Sequence, residues 1–160
     1  PGGFSDVGRG DWYAPYVAFA QKYGIASGYL DGTFRPEQPV SRAELVKLIA
    51  AYFEVTGGTA AFPDVAASYW ASDVISFAAQ QGWVSGYPDG TFRPDAPVGR
   101  AEAVKILNHA LDRRAGERPA SLPFTDVPKD HWACDEIREA SVSHTYQKTD
   151  DGEKGLSYDR

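Results

Sequence analysis

The chain lacks several features that define common protein classes. It contains a single cysteine, Cys134, and no methionine among its 160 residues. One cysteine cannot form an internal disulfide, which fits a reducing compartment and equally an exported bacterial protein without disulfides. No apolar run approaches the ~20 residues needed to cross a bilayer, so we expect no membrane insertion. The start at Pro1 without a signal peptide is typical of an excised or mature segment.

The charge balance argues against nucleic acid as a partner. The chain has 16 basic and 22 acidic residues, giving a formal charge of −6, and no basic run. Proteins that bind DNA or RNA need a basic surface facing the phosphates. An anionic ligand would therefore have to be held by a local site.

Motifs for catalysis, cofactors and metals are also missing. There is no Ser/His/Asp constellation and no phosphate-binding glycine loop. The histidines at 109, 131 and 144 lack the spacing of metal ligands. The turn at Asp31 lacks the acidic ladder of a calcium loop. We therefore expect a protein that is not an enzyme and that has no cofactor or metal, although a carboxylate pair for glycoside hydrolysis stays open.

What the chain does contain is a tandem repeat. Residues 28–44, GYLDGTFRPEQPVSRAE, recur 58 residues later at 86–102 as GYPDGTFRPDAPVGRAE. About half of the positions between Phe4 and Phe53 are identical in the second copy, without a gap. A third copy opens at Phe124 with FTDVPKDHWA but never reaches the loop.

The repeats predict three units that share a core. Their boundaries are 1–57, 58–118 and a divergent 119–160. Units of about 58 residues bury little surface alone, so we expect them to lean on one another. Aromatic residues recur at matching positions, and we expect most of them to be packed in that core. They are Phe4, Trp12, Phe19 and Phe34, matched by Phe62, Trp70, Phe77 and Phe92.

Each full repeat predicts a helix, a loop and a second helix. The first helix should run from near Ala14 to Tyr23, with an aromatic stripe on one face, and end at Gly24. Carboxylates precede the first helices and are expected to cap them. They are Asp6, Asp64 and Asp126.

The loops contain Asp-Gly turns and lead into the second helices. Ser41 is expected to be the N-cap of the first copy's second helix, with Glu44 closing a capping box. The second copy has Gly99 in place of that serine, with Glu102 in the first turn. We assign both glutamates mainly to capping. In the third unit, a small hairpin around residues 150–152 is expected instead of a loop and helix.

Two arginines are not explained by these local rules. Arg42 and Arg100 begin the second helices, where the helix dipole disfavours a cation by a few tenths to ~1 kcal/mol. Free amides and a guanidinium at one place form a site for a carboxylate or phosphate. The alternative is a structural ion pair of Arg42 with Asp31 or Glu44, and the two interpretations are compatible.

The motifs FSDV, Trp12, GY, DGTFRP and SRAE, with their second copies, resemble the S-layer homology (SLH) domain. The resemblance covers about 110 residues strongly and residues 124–143 weakly. It implies a mostly α-helical fold of helix-loop-helix repeats in a pseudo-threefold arrangement around a central helical bundle. It also implies a non-catalytic module at the bacterial cell surface, anchored to a secondary cell-wall polysaccharide that is often pyruvylated and bound in grooves between repeats.

The resemblance also implies the site residues. Arg42 and Arg100 would hold the pyruvyl carboxylate, and Asp31 and Asp89 would accept hydrogen bonds from sugar hydroxyls. Trp83 would stack on a sugar face, where the first copy has Ile25. The remaining motif residues expected at the site are Gly28, Gly86 and Ser41.

The third repeat and the choice of partner stay open at this point. The third repeat lacks loop and arginine, which argues against a third groove. A second hypothesis is a protein interaction module that docks other S-layer subunits or envelope proteins.

Overall fold

The chain is mostly helical, as predicted. The computed structural model describes residues 3–59, 61–114, 122–142, 144–149 and 152–158. Its helices are α1 (Ala14–Lys22), α2 (Arg42–Tyr52), α3 (Ser72–Gln80), α4 (Arg100–Ala110) and α5 (Cys134–Ser141). The short strands are β1 (Arg113–Arg114), β2 (His144–Thr149) and β3 (Gly152–Tyr158). Among the described residues, none of the helices is long and apolar enough to cross a membrane.

The residues form two compact units. The first comprises Pro1–Ala78 with Gly86–Pro97, and the second comprises Ala79–Ser85 with Val98–Arg160. The first unit therefore contains both loops of the repeat, which we name loop 1 (residues 28–39) and loop 2 (residues 86–97). The pseudo-threefold arrangement around a central bundle, and the repeat boundaries at 57 and 118, stay predictions.

Helix α1 begins and ends as its sequence predicts. Pro15 lies in its first turn, where a missing amide is harmless. Gly24 follows the helix with a φ of 70°, and the Ile25 amide donates to the carbonyl of Ala20. This is the left-handed ending that glycine allows at little cost.

The prediction that most repeated aromatic residues are packed in a core is wrong for the two tryptophans and for the aromatic stripe of α1. Trp12 is 80% exposed, and its counterpart Trp70 is also exposed. Tyr16, Phe19 and Tyr23 of the same stripe lie at the surface. The regular spacing of rings establishes a common helical face, but a neighbour must cover that face before it becomes core.

The core of the first unit is built by smaller side chains and by the rings of the loops. Phe4 packs on Phe34 with ring centroids 5.3 Å apart, and Phe62 packs on Phe92 at 5.2 Å. Aliphatic residues of α2 and α3 supply most of the remaining buried surface. They are Ala43, Val46, Ile49 and Ala50 of α2, and Val74, Ile75 and Ala78 of α3.

The second unit combines two helices with a small sheet. Asn108 of α4 donates from Nδ2 to the carboxylate of Glu136 on α5 at 2.7 Å. The strand order is β1-β3-β2, with β1 parallel and β2 antiparallel to β3. The predicted C-terminal hairpin is therefore present as β2 and β3, while its turn at residues 150–151 lies outside the described residues.

Candidate functional site

Loops 1 and 2 share one turn geometry. In loop 1, Asp31 Oδ1 accepts from the amide of Thr33 at 3.0 Å and from its hydroxyl at 2.6 Å. Its other oxygen accepts from Arg35 at 2.9 Å. These donors, led by the Thr33 hydroxyl, lower the pKa of Asp31 to about 2. The sequence hypothesis of an ion pair between Asp31 and Arg42 is wrong, because Arg35 is the arginine that binds this carboxylate.

The second loop repeats the arrangement. Asp89 accepts from the Thr91 amide at 3.0 Å, from its hydroxyl at 2.6 Å and from Arg93 at 2.7 Å. The same causes hold the pKa of Asp89 below its ordinary value. Both aspartates are exposed, so their carboxylates face solvent while they brace the turn.

Two of the three aspartates that precede the first helices bind the loops instead of capping the helices. Asp6 accepts from the amides of Phe34 and Arg35 at 2.8 and 2.7 Å, and the Phe34 amide is the largest cause of its lowered pKa. Asp64 does the same for Phe92 and Arg93. The capping expectation is wrong at these two positions, because both oxygens of each carboxylate accept from amides of the loop. Asp126 is exposed, and its capping role stays a prediction.

Two glycines allow this close packing. A Cβ on Gly28, where φ is 69°, would lie 2.2 Å from the ring of Phe4. At Gly86 it would lie 2.9 Å from the ring of Phe62. Each glycine lets a phenylalanine ring approach the backbone at the start of its loop.

The start of α2 is capped by side chains. Ser41 Oγ accepts from the amide of Glu44, and the glutamate's Oε2 accepts from the Ser41 amide at 2.8 Å, which completes a capping box. Tyr29 of loop 1 donates its hydroxyl to Oε1 of Glu44 at 2.6 Å. That bond raises the pKa of Tyr29. At α4, Gly99 offers no side-chain cap, and Glu102 lies in the first turn.

The backbone amides at the start of α2 are already bonded to loop 2. The Arg42 amide donates to the carbonyl of Ala96, and the Ala43 amide donates to that of Pro94, both at 3.0 Å. The expectation that these amides are free donors for an anion is therefore wrong. The helix start is joined to the next repeat's loop.

Arg42 itself is buried in the same contact. Its side chain is 3% exposed, and Nε donates to the carbonyl of Phe92 at 2.8 Å. The guanidinium lies 4.5 Å from the ring centroid of Phe92 and 4.9 Å from that of Tyr87. Burial lowers the pKa of Arg42, yet an arginine stays charged at neutral pH. The cation therefore fastens α2 to loop 2.

A second, exposed arginine lies on the same tyrosine. Arg93 stacks on Tyr87 at 4.1 Å and pairs with Asp89. Arg42, Arg93, Asp64 and Asp89 are thus two cations and two carboxylates around one loop. Of these four, Arg93, Asp64 and Asp89 are exposed, whereas Arg42 is buried.

The second unit holds the remaining predicted site residues. Arg100 is exposed at the start of α4, and Trp83 is half-buried beyond the end of α3. Glu136 approaches His109 Nε2 at 3.3 Å, while His109 Nδ1 lies 2.9 Å from the carbonyl of Gly82. Within the described ranges, no group of three or more His, Cys, Asp or Glu residues is placed to hold a metal.

Sequence reasoning missed the paired tyrosine and arginine of each loop. In each loop a guanidinium stacks on a tyrosine ring. The distance to the ring centroid is 4.0 Å for Arg35 on Tyr29 and 4.1 Å for Arg93 on Tyr87. Their signal was present, because each arginine follows its loop aspartate by four residues in both copies. The contact of Arg42 with Phe92 spans 50 residues and had no local signal.

Comparison with known proteins agrees with the repeated motifs. Residues 3–46 and 61–104, together more than half of the chain, match the family model of the S-layer homology domain. A cellulosome-anchoring protein of Acetivibrio thermocellus is 33% identical over 157 residues, covering 94% of this chain and 35% of that protein. Cell surface glycoprotein 1 of the same organism is 32% identical, covering 94% of this chain and 7% of its own length.

A shorter match comes from an S-layer protein of Bacillus licheniformis, which is 43% identical over 58 residues, covering 34% of this chain and 7% of that protein. The chain thus spans about a third, or much less, of the relatives named here. The second and third of these relatives are named for the cell surface and for the S-layer. The resemblance seen in the sequence is confirmed: the chain belongs to the S-layer homology domain family.

Proposed function

We propose that this chain is a non-catalytic module that anchors a surface protein to the bacterial cell wall by binding a secondary cell-wall polysaccharide. The observation that carries the proposal is the contact between the start of α2 and loop 2, which we name the joint. There buried Arg42 binds Phe92 and Tyr87 and so fixes the arrangement of the exposed polar groups of loop 2. The family match and the anchoring relative support the same conclusion.

We assign the polymer contacts to exposed groups and the shape of the surface to Arg42. Arg93 and Asp89 are half-exposed and oriented by Tyr87 and Thr91. The guanidinium is suited to the carboxylate of a pyruvyl group, and the aspartate to sugar hydroxyls. Asp31 would serve the same purpose in loop 1.

Other residues complete the proposed site. Trp83 and Arg100 would extend the polymer contact in the second unit. Ser41, Gly28 and Gly86 would act by shaping the helix start and the loops.

The test separates a contact with the acidic group from a purely structural role. Binding of purified polysaccharide is measured by calorimetry, before and after chemical removal of pyruvate. Arg93→Ala should weaken binding of the pyruvylated polymer by at least about tenfold and leave binding of the pyruvate-free polymer unchanged. Arg42→Ala should weaken both to a similar degree, because it disturbs the surface as a whole.

Arg9→Ala is the matched control, since Arg9 is an exposed arginine outside both loops. Equal affinity of wild type for the two polymers would reject the acidic ligand but keep the anchoring role. Absence of binding to either polymer by folded wild type would reject polysaccharide anchoring.

The second candidate is a protein interaction module. It is favoured by the exposed aromatic face of α1, formed by Trp12, Tyr16, Phe19 and Tyr23. Aromatic residues are enriched at protein interfaces. Binding to wall sacculi after protease treatment would argue against this function, because the polysaccharide would then be sufficient.

A further inference from the structure

The joint between α2 and loop 2 is formed by two parts, a helix start and a loop. The chain contains a second copy of each part. In the joint, a helix start supplies the donors and the following repeat's loop supplies the acceptors. Loop 1 is a second copy of the acceptor half, and the start of α4 is a second copy of the donor half.

The acceptor half of loop 1 is open. The carbonyls of Phe34, Pro36 and Gln38 correspond to those of Phe92, Pro94 and Ala96, which bind Arg42 and Ala43. In the described part of the chain, these three loop 1 carbonyls accept no hydrogen bond. Exposure follows the same pattern, because Phe92 is 0% exposed whereas Phe34 is half-buried.

The donor half at α4 is open as well. Arg100 is exposed where Arg42 is buried, and Ala101 is half-buried where Ala43 is fully buried. The amides of Arg100 and Ala101 donate to no other residue that the structure describes. In the described part of the third repeat, the hairpin of β2 and β3 stands where a third loop would be expected.

The two open halves are chemically complementary because they copy a joint that is already formed. The guanidinium of Arg35 lies 4.0 Å from the ring centroid of Tyr29, just as that of Arg93 lies 4.1 Å from the ring centroid of Tyr87. The guanidinium of Arg42 also contacts Tyr87, 4.9 Å from its ring centroid. Tyr29 is therefore equipped to take a second guanidinium in the same way.

We infer that loop 1 of one copy of this chain receives the start of α4 from a second copy, with Arg100 seated on Tyr29 and Phe34 as Arg42 is seated on Tyr87 and Phe92. The contact is heterologous, since two different surfaces meet. Such a contact closes into a ring or continues as a chain of molecules. It needs no polysaccharide to form, although it uses Arg100 and loop 1, which the proposed function assigns to contacts with the polymer.

The interface is small, so we expect association in the range of about 10 µM to 1 mM. The test is sedimentation equilibrium of the full chain over that range without polymer. The apparent molecular mass of the wild-type chain should rise with protein concentration. Arg100→Glu removes the donor. Gln38→Lys places a positive charge beside the acceptors, where it would repel Arg100. Each variant alone should associate at least tenfold more weakly, with an unchanged circular dichroism spectrum.

Mixing the two variants gives the decisive result. The Arg100→Glu copy keeps loop 1, and the Gln38→Lys copy keeps α4, so an equimolar mixture should recover a pair that cannot extend further. Arg9→Glu, with the same charge change at an unrelated exposed arginine, should behave like wild type. A wild type that stays monomeric throughout, an Arg100→Glu variant that associates normally, or a mixture without recovery would each overturn the inference.

Discussion

The starts of α2 and α4 have nearly the same sequence and different surroundings. SRAE at α2 and GRAE at α4 both place an arginine at the first helical position. Arg42 is buried against Phe92 of loop 2, whereas Arg100 is exposed. The difference comes from the following repeat, which supplies a loop after the first copy and a hairpin after the second. An arginine in this motif is therefore half of a joint, and its role depends on whether the next loop exists.

The largest expected difference is in the free energy of unfolding of the two arginine variants. Arg42→Ala should cost about 2–4 kcal/mol, because it removes a packed side chain and leaves the Phe92 carbonyl buried without its donor. Arg100→Ala should stay within about 0.5 kcal/mol of wild type. Guanidinium chloride unfolding measures both. Equal costs would break the comparison.

The loop glycines should give the next largest difference. Gly28→Ala combines a φ of 69° with a Cβ placed 2.2 Å from the Phe4 ring, and should cost about 2–4 kcal/mol. Gly86→Ala should cost about 1–2 kcal/mol, since its Cβ would lie 2.9 Å from the flexible ring of Phe62. The same unfolding experiment ranks them. A larger loss at Gly86 would contradict this account of the loops.

Acid should affect the two loops alike, which sharpens the contrast with the arginines. Asp31 and Asp89 have pKa values below the ordinary ~3.9 of an unfolded aspartate, and that of Asp31 is about 2. Their stabilisation is present above pH ~4 and is lost as the pH falls towards ~2. Melting temperatures between pH 2 and 5 should show a smaller acid decline for Asp31→Asn and for Asp89→Asn. If the melting temperature of either variant falls with acid as steeply as that of wild type, that loop's carboxylate does not cause the loss of stability in acid.

The smallest effects are expected on the exposed first-helix tryptophans. Trp12→Ser and Trp70→Ser should each change the unfolding free energy by no more than about 0.5 kcal/mol, because both rings face solvent. Chemical denaturation with far-ultraviolet circular dichroism is the measurement, since it does not depend on tryptophan fluorescence. A loss above about 2 kcal/mol at Trp12 would mean that the ring is covered in solution.

Local patterns predicted much of the architecture. The helix end at Gly24, the capping box of Ser41 and Glu44, and the hairpin all follow from residues a few positions apart. The exposure of Trp12 could not be predicted in this way, because periodicity shows which residues share a face but not what covers it. The same limit applies to Asp6, whose carboxylate binds amides 28 and 29 residues away.

By itself the sequence determined the family, the repeat and the residue that local rules disfavour. It identified Arg42 and Arg100 as equivalent, because their neighbours in the chain are nearly the same. Only the tertiary structure decided that Arg42 is a buried joint and Arg100 an exposed donor. The physical reason is that a guanidinium is held by carbonyls and rings brought to it through space, and those of Phe92 and Tyr87 belong to the next repeat.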